Sequence, residues 1–270
     1  MGMVRPPVVA GAFYPAHPGR LAALVDELLP HDVEKVPAFG LLAPHAGYVY
    51  SGAAAGRTYA RVEIPSRVVL LGPNHTGRGC ALAAGAEDEW LTPLGKTPLD
   101  RGMIDALVAA DAGVAVDSRA HAAEHSLEVQ LPFLQTLRPD VRIVPLVVGT
   151  HQLEVLLRLG QALGNLIRES PEPVLIVISS DMTHYESAES ARVKDARALA
   201  WLSAVDPVGL HRTVTEQGIS MCGMAPAVAA LEALRRLGAT RGEQVVYTHS
   251  GVVTRDDREV VAYAGVVFRA

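Results

Sequence analysis

The chain has 270 residues, 49% of them hydrophobic, and a net charge of −5, which is length enough for one large domain with a substantial core or two small ones. A pI of about 6.1 and the lack of any basic stripe argue against nucleic acid, and no apolar run reaches the ~20 residues of a membrane helix. Two cysteines are too few for a disulfide framework. The opening Met-Gly-Met-Val-Arg-Pro-Pro lacks the shape of a signal peptide, and Pro6 stands where a myristoylation motif wants Ser or Thr, so the cytoplasm is the expected location.

Residues 4–16 are apolar and broken by proline, which predicts an ordered extended arm. Its adjacent aromatics, Phe13 and Tyr14, read as surface packing or as a pocket wall. Leu21, Leu24, Val25 and Leu28 recur at helical spacing after Pro18, an amphipathic helix. The apolar run Phe39–Leu42 is a buried strand that stops at Ala-Pro-His45-Ala-Gly-Tyr48. Ser51 then reads as the N-cap of a helix whose small residues bring it close to the sheet behind His45. A second strand, Val68–Leu71, stops at Gly-Pro-Asn-His75. Residues 81–86 and the stretch around Trp90 predict short strands at a sheet edge, because Pro and Gly disfavour a central place.

The stretch His121-Ala-Ala-Glu124-His125-Ser-Leu-Glu128 packs two histidines and two acids into eight residues. His121 and His125 can share one face of a helical turn, and Ser126 or His125 can open a helix carrying Leu127, Leu131 and Leu134. The stretch does not match the zinc-protease motif, in which the Glu follows the first His directly. Glu124, His125 or Glu128 reads instead as orienting a ligand or substrate, or as a solvated helix start. Val141–Val148 is a strand and Leu153–Ile167 a helix. The strand Val174–Ile178 leads into Ser-Ser-Asp181-Met-Thr-His184-Tyr, and helices follow over 186–204, 207–216 and 227–237. Two last strands, 244–248 and 259–268, make an antiparallel hairpin. His249 reads as a polar strand end. No repeat, low-complexity segment or linker breaks the chain, so a single α/β domain over 1–270 is expected, with a mostly parallel or mixed central sheet flanked by helices.

Three strands thus end in histidine, and in open α/β sheets ligands gather beyond the carboxyl ends of the strands. Cys222, in Met-Cys-Gly-Met before a helix, sits where backbone donors and the helix dipole lower a thiol pKa. It reads as a small buried turn residue, as a nucleophile beside a histidine, or, the preferred reading, as a third metal ligand with His45 and His75. His184 would then be a free acid/base, with Asp181 fixing its ring or the neighbouring loop. Cys80 reads as packing.

The stretches Ala10-Gly-Ala-Phe-Tyr-Pro, Ala43-Pro-His45-Ala-Gly-Tyr, Gly72-Pro-Asn-His75, Glu124-His125-Ser-Leu-Glu-Val-Gln-Leu-Pro-Phe, Ser179-Ser-Asp181-x-x-His184-Tyr and Cys222-Gly resemble, in order, the Memo family. Its prokaryotic members are called AmmeMemoRadiSam system protein B. The resemblance implies a fold similar to class III extradiol dioxygenases, metal binding at His45, His75 and Cys222, and a catalytic role for His184. Cys222 stands where the dioxygenases offer a glutamate, and thiolate favours Cu(I), Zn or Fe. The resemblance further implies a functional link to a radical-SAM protein.

The reading that follows is a metal-dependent, dioxygenase-like oxidoreductase using iron or copper, with zinc as the redox-inert choice. Phe13, Tyr14, Tyr48, Glu124 and His125 would wall its pocket. The alternative is a non-enzymatic module that keeps the crevice for a small-molecule or peptide ligand. Hydrolysis by a metal-activated water ranks third.

Overall fold

A computed structural model describes residues 2–270. The arm opens with β1 (Val4–Arg5), and α1 (Pro18–Leu28) starts on Pro18 as its spacing demands. Then come β2 (Gly40–Ala43), α2 (Tyr48–Tyr59), β3 (Arg67–Pro73), β4 (Leu82–Ala84), β5 (Glu89–Thr92), β6 (Gly95–Pro98) and α3 (Arg101–Ala109). The middle of the chain holds β7 (Ala115–Val116), α4 (Ser118–His121), α5 (Leu131–Leu137), β8 (Arg142–Val148), α6 (Leu153–Arg168) and β9 (Val174–Ser179). The last third runs β10 (His184–Glu186), α7 (Ala188–Ser203), α8 (Pro207–Glu216), α9 (Met224–Leu237), β11 (Arg241–His249), α10 (Gly251–Thr254) and β12 (Val260–Arg269).

The large sheet is mixed, in the order β10-β12-β2-β9-β3-β8-β4-β7 with β11 also paired to β12. Its centre, β2, β9, β3 and β8, is parallel. Those strands are continuous apolar runs because both of their faces are covered. β4 and β12 join antiparallel on either side, and β11 with β12 forms the expected C-terminal hairpin. Helix α9 lies along β3, β8 and β9 and packs on α6, while α2 lies along β2, β11 and β12.

Three local expectations are corrected. Helix α2 begins at Tyr48 rather than at Ser51, because the Tyr48 N–H already finds the Phe13 carbonyl at 2.8 Å. Ser51 lies inside the helix and donates to the Ala46 carbonyl at 2.9 Å. The helix lies close to the sheet as expected, and its Gly52 and Gly56 also admit α1: a Cβ at Gly56 would lie 2.0 Å from the Leu28 carbonyl oxygen. Nor do the two short segments share an edge. β4 sits inside the large sheet, whereas β5 and β6 form a hairpin that takes β1 as a parallel partner in a separate three-stranded sheet. The arm is thus a strand donor, which local composition does not reveal. Finally, Ser126 does not open a helix. A 3-10 turn over Glu128–Gln130 leads into α5, whose first turn holds Pro132.

Candidate metal centre

Register delivers the site. Ala43 of β2 pairs with Ser179 of β9, and Leu71 of β3 pairs with Ile178 of the same strand. The three carboxyl ends are therefore level, and His45, His75 and Asp181 each follow their strand by two residues. The nitrogen atoms that His45, His75 and His125 can offer a cation all lie within 4.8 Å of one another. The His75 and His125 rings stack, with centroids 4.6 Å apart, and His45 meets them edge-on at 5.1 and 5.4 Å.

Charge on neighbouring imidazoles is disfavoured where the rings lie this close, since adjacent like charges repel in a low-dielectric site. Burial pushes the His45 pKa well below its ordinary value, and His125, His75 and His184 push it further. Burial likewise lowers His125. Neutral imidazole suits Zn, Cu, Fe and Ni. Nitrogens bonded tetrahedrally to one such ion at about 2.0–2.1 Å sit roughly 3.3–3.4 Å apart, and the three here lie within 4.8 Å, so the donor set fits a single transition-metal ion once the rings draw inward.

Carboxylate clamping is strongest at His75. Glu124 accepts from the His75 backbone N–H at 2.7 Å and faces its Nδ1 at 2.9 Å. An ionised carboxylate only accepts, so Nδ1 carries the proton and Nε2 is left as the donor to a cation, the arrangement that fixes ligand histidines in metal proteins. Burial raises the Glu124 pKa, but bonds from His75 and the Ser126 N–H outweigh it and hold the carboxyl at about 2. It stays ionised across the physiological range.

The Memo-like protein family profile matches residues 5–267 of this chain. The chain belongs to that family. A MEMO1 family protein of Aquifex aeolicus is 44% identical over 98% of this chain and 99% of its own length. Those of Methanopyrus kandleri and Methanosarcina barkeri are 40% and 38% identical, again over nearly the full length of both chains. A crystal structure of an uncharacterized protein from Escherichia coli K12 superposes with a TM-score of 0.57 at 16% identity, covering 83% of this chain and 98% of that one, and shows the shared fold. No helix among the described residues is long and apolar enough to cross a membrane.

In this Memo-like chain Cys222 lies beside the cluster rather than within the three-nitrogen group. Its Sγ is 3.2 Å from His45 Nε2 and accepts the Asp181 N–H at 3.2 Å. The expected low thiol pKa is overturned: burial and then the Asp181 carboxylate push it well up, and the backbone donors lose. His125, expected as a pocket wall, stands among the three imidazoles, with Phe13 against its ring at 4.8 Å. Glu124 is behind His75 and buried, not lining a pocket. Tyr14 and Tyr48 turn into the core, where their hydroxyls donate to Glu128 at 2.6 Å and to the Val129 carbonyl at 2.6 Å.

Asp181 is not the orienter of His184. It accepts the His45 backbone N–H at 2.8 Å and so holds that loop. The ring of His184 is oriented by the Ser220 carbonyl, 2.8 Å from Nδ1, which leaves Nε2 free. Two other candidates point elsewhere: buried Glu128 binds Arg5, and His121 reaches the Ala83 carbonyl at 3.1 Å. His249 lies at the end of β11 against Asp257, 3.7 Å away.

Burial raises the Asp181 carboxyl to about 6 against the hydrogen bonds it receives. The folded chain therefore holds this proton more tightly than the unfolded chain, which releases it near 3.9. Its stabilising contribution is complete below that value and is lost as pH rises through about 6. Buried neutral histidines act in the opposite direction over the same range, so the informative quantity is a difference. In urea melts of metal-free protein, Asp181→Asn should gain on the parent steadily as pH rises from 4 to 7. A difference that does not change with pH would contradict this account.

Proposed function

We propose that this Memo-like protein is a metal-dependent oxidoreductase of dioxygenase type. The observation that carries the reading is the convergence of three imidazoles at one edge of the parallel sheet, with His75 clamped from behind by Glu124. His45 and His75 would hold iron or copper, with His125 or Cys222 completing the set. Such an ion supplies electron transfer and O₂ chemistry, whereas zinc in the same ligands supplies only Lewis acidity. His184, half-buried and with Nε2 unengaged, would take or return a proton of a small-molecule substrate. Phe13, packed on His125, shields the cluster on the side of the arm.

The test is elemental analysis of anaerobically purified protein, followed by O₂ uptake with catechol-like substrates before and after chelation. Near-stoichiometric iron or copper with chelator-sensitive uptake supports the reading. A chain that carries no metal and cannot be loaded sinks it, and the crevice then serves to bind a small molecule or peptide without catalysis.

A further inference from the structure

Beneath His45 lies a buried polar chain that the proposed reaction does not itself use. Gln130, Tyr59 and Ser179 have no exposed surface, and His45 is 2% exposed. A leucine would fill the place of Gln130 without the cost of burying an amide. Each hydrogen bond in the chain has a direction that its neighbours determine.

The Gln130 amide nitrogen lies 3.0 Å from the Pro44 carbonyl, which only accepts, so the orientation of the amide follows. Its oxygen accepts from the Tyr59 hydroxyl at 2.9 Å. Its second N–H donates to Ser179 Oγ at 2.9 Å. The single proton of Ser179 goes to the Ser126 carbonyl at 2.6 Å. Of the three directions around Oγ, one faces an N–H and one a carbonyl. The third faces His45 Nδ1 at 2.9 Å, and only acceptance is left for it. His45 therefore carries its proton on Nδ1 and directs the Nε2 lone pair to the cluster.

We propose that Gln130 and Tyr59, acting through Ser179, are positioning residues that set the tautomer of His45 and so prepare it as a ligand. The proposal rests on the reading of His45 as a metal ligand for its purpose, but not for its test. Without the Gln130 N–H, the Ser179 hydroxyl is free to turn its proton to Nδ1, and Nε2 then takes the imidazole proton and is closed to a cation. His75 reaches the same state by a different device, its carboxylate.

The experiment is a long-range ¹⁵N–¹H correlation spectrum of the histidine side chains in the full-length metal-free protein above pH 7, with zinc titrations of the same samples. In the parent, His45 should appear wholly as the Nδ1–H form. Cys222→Ala, which removes the thiol 3.2 Å from His45 Nε2, should keep the Nδ1–H form because Ser179 still only accepts from Nδ1; an Nε2–H form in that variant would assign the tautomer to the thiol and overturn the proposal. Gln130→Leu and Ser179→Ala should each show an Nε2–H population, and Ser179→Thr should restore the parent spectrum. Zinc affinity should fall roughly 10- to 100-fold in Gln130→Leu. A parent His45 protonated on Nε2 overturns the proposal even if no variant folds. So does a purely Nδ1–H signal in both Gln130→Leu and Ser179→Ala. If the parent takes no zinc, the metal reading fails while the spectra still decide the tautomer.

Discussion

His45→Ala and His75→Ala are each expected to weaken metal binding by about two to three orders of magnitude, measured by zinc or iron titration of the metal-free protein. Structural zinc sites bind with roughly 10–16 kcal/mol shared among four ligands, so one ligand carries about 3–4 kcal/mol, and every 1.4 kcal/mol is tenfold. His45 is buried and its nitrogen cannot be replaced by solvent at equal cost. His75 is more exposed, yet its loss also strands the Glu124 carboxylate, which is 1% exposed. The same titration separates the two claims on the third position. Loss in His125→Ala with little change in Cys222→Ala assigns the ion to the three imidazoles, and the reverse assigns it to the thiol 3.2 Å from His45 Nε2. Parent-like affinity in both His45→Ala and His75→Ala would show that the cluster is not the metal site.

The largest effect on stability is expected from Arg5. Its guanidinium donates to Glu128 at 2.7 Å, to the Glu124 carbonyl at 2.7 Å and to the His121 carbonyl at 2.9 Å, and lies 4.3 Å over the Trp90 ring. Glu128 in turn accepts from the Val8 and Val9 N–H groups and from Tyr14. The arm is tied to the segment 124–128 through one buried ion pair, with side chains 2% and 0% exposed. Removing one member of such a pair leaves an uncompensated charge, which costs about 3–5 kcal/mol. Arg5→Met should lose that much in urea melts, and adding Glu128→Gln should return part of it, because no charge is then left buried. A loss below about 1 kcal/mol in Arg5→Met would mean that the arm contributes only surface contacts. Since Arg5 also supports the Glu124 carbonyl, the single variant should loosen the clamp on His75 and weaken metal binding as well.

What could be read before folding was local. Phe39–Leu42, Val68–Leu71 and Val174–Ile178 are apolar runs cut off by turn formers, and all three are central parallel strands. His45, His75 and His184 follow from them, as does the tail hairpin from its two apolar runs. The stretch 121–128 was legible only as a concentration of titratable groups. Its four members look alike in sequence, yet two enter the site and two are spent elsewhere. Glu124 faces His75 and His125 joins the imidazoles, whereas His121 is turned to Ala83 and Glu128 to Arg5.

Cys222 shows the limit most plainly. A turn before a helix predicts a lowered thiol pKa, and that effect is present, but burial beside Asp181 is larger. By itself, the sequence determined where the strands stop and which histidines stand at their ends, because periodicity and turn chemistry act over a few residues. Only the tertiary structure decided which nitrogens converge, which carboxylate clamps which ring, and which groups are buried beside one another. Those outcomes depend on strand register and on the burial of groups distant in the chain, and desolvation and hydrogen bonding there outweigh every local preference.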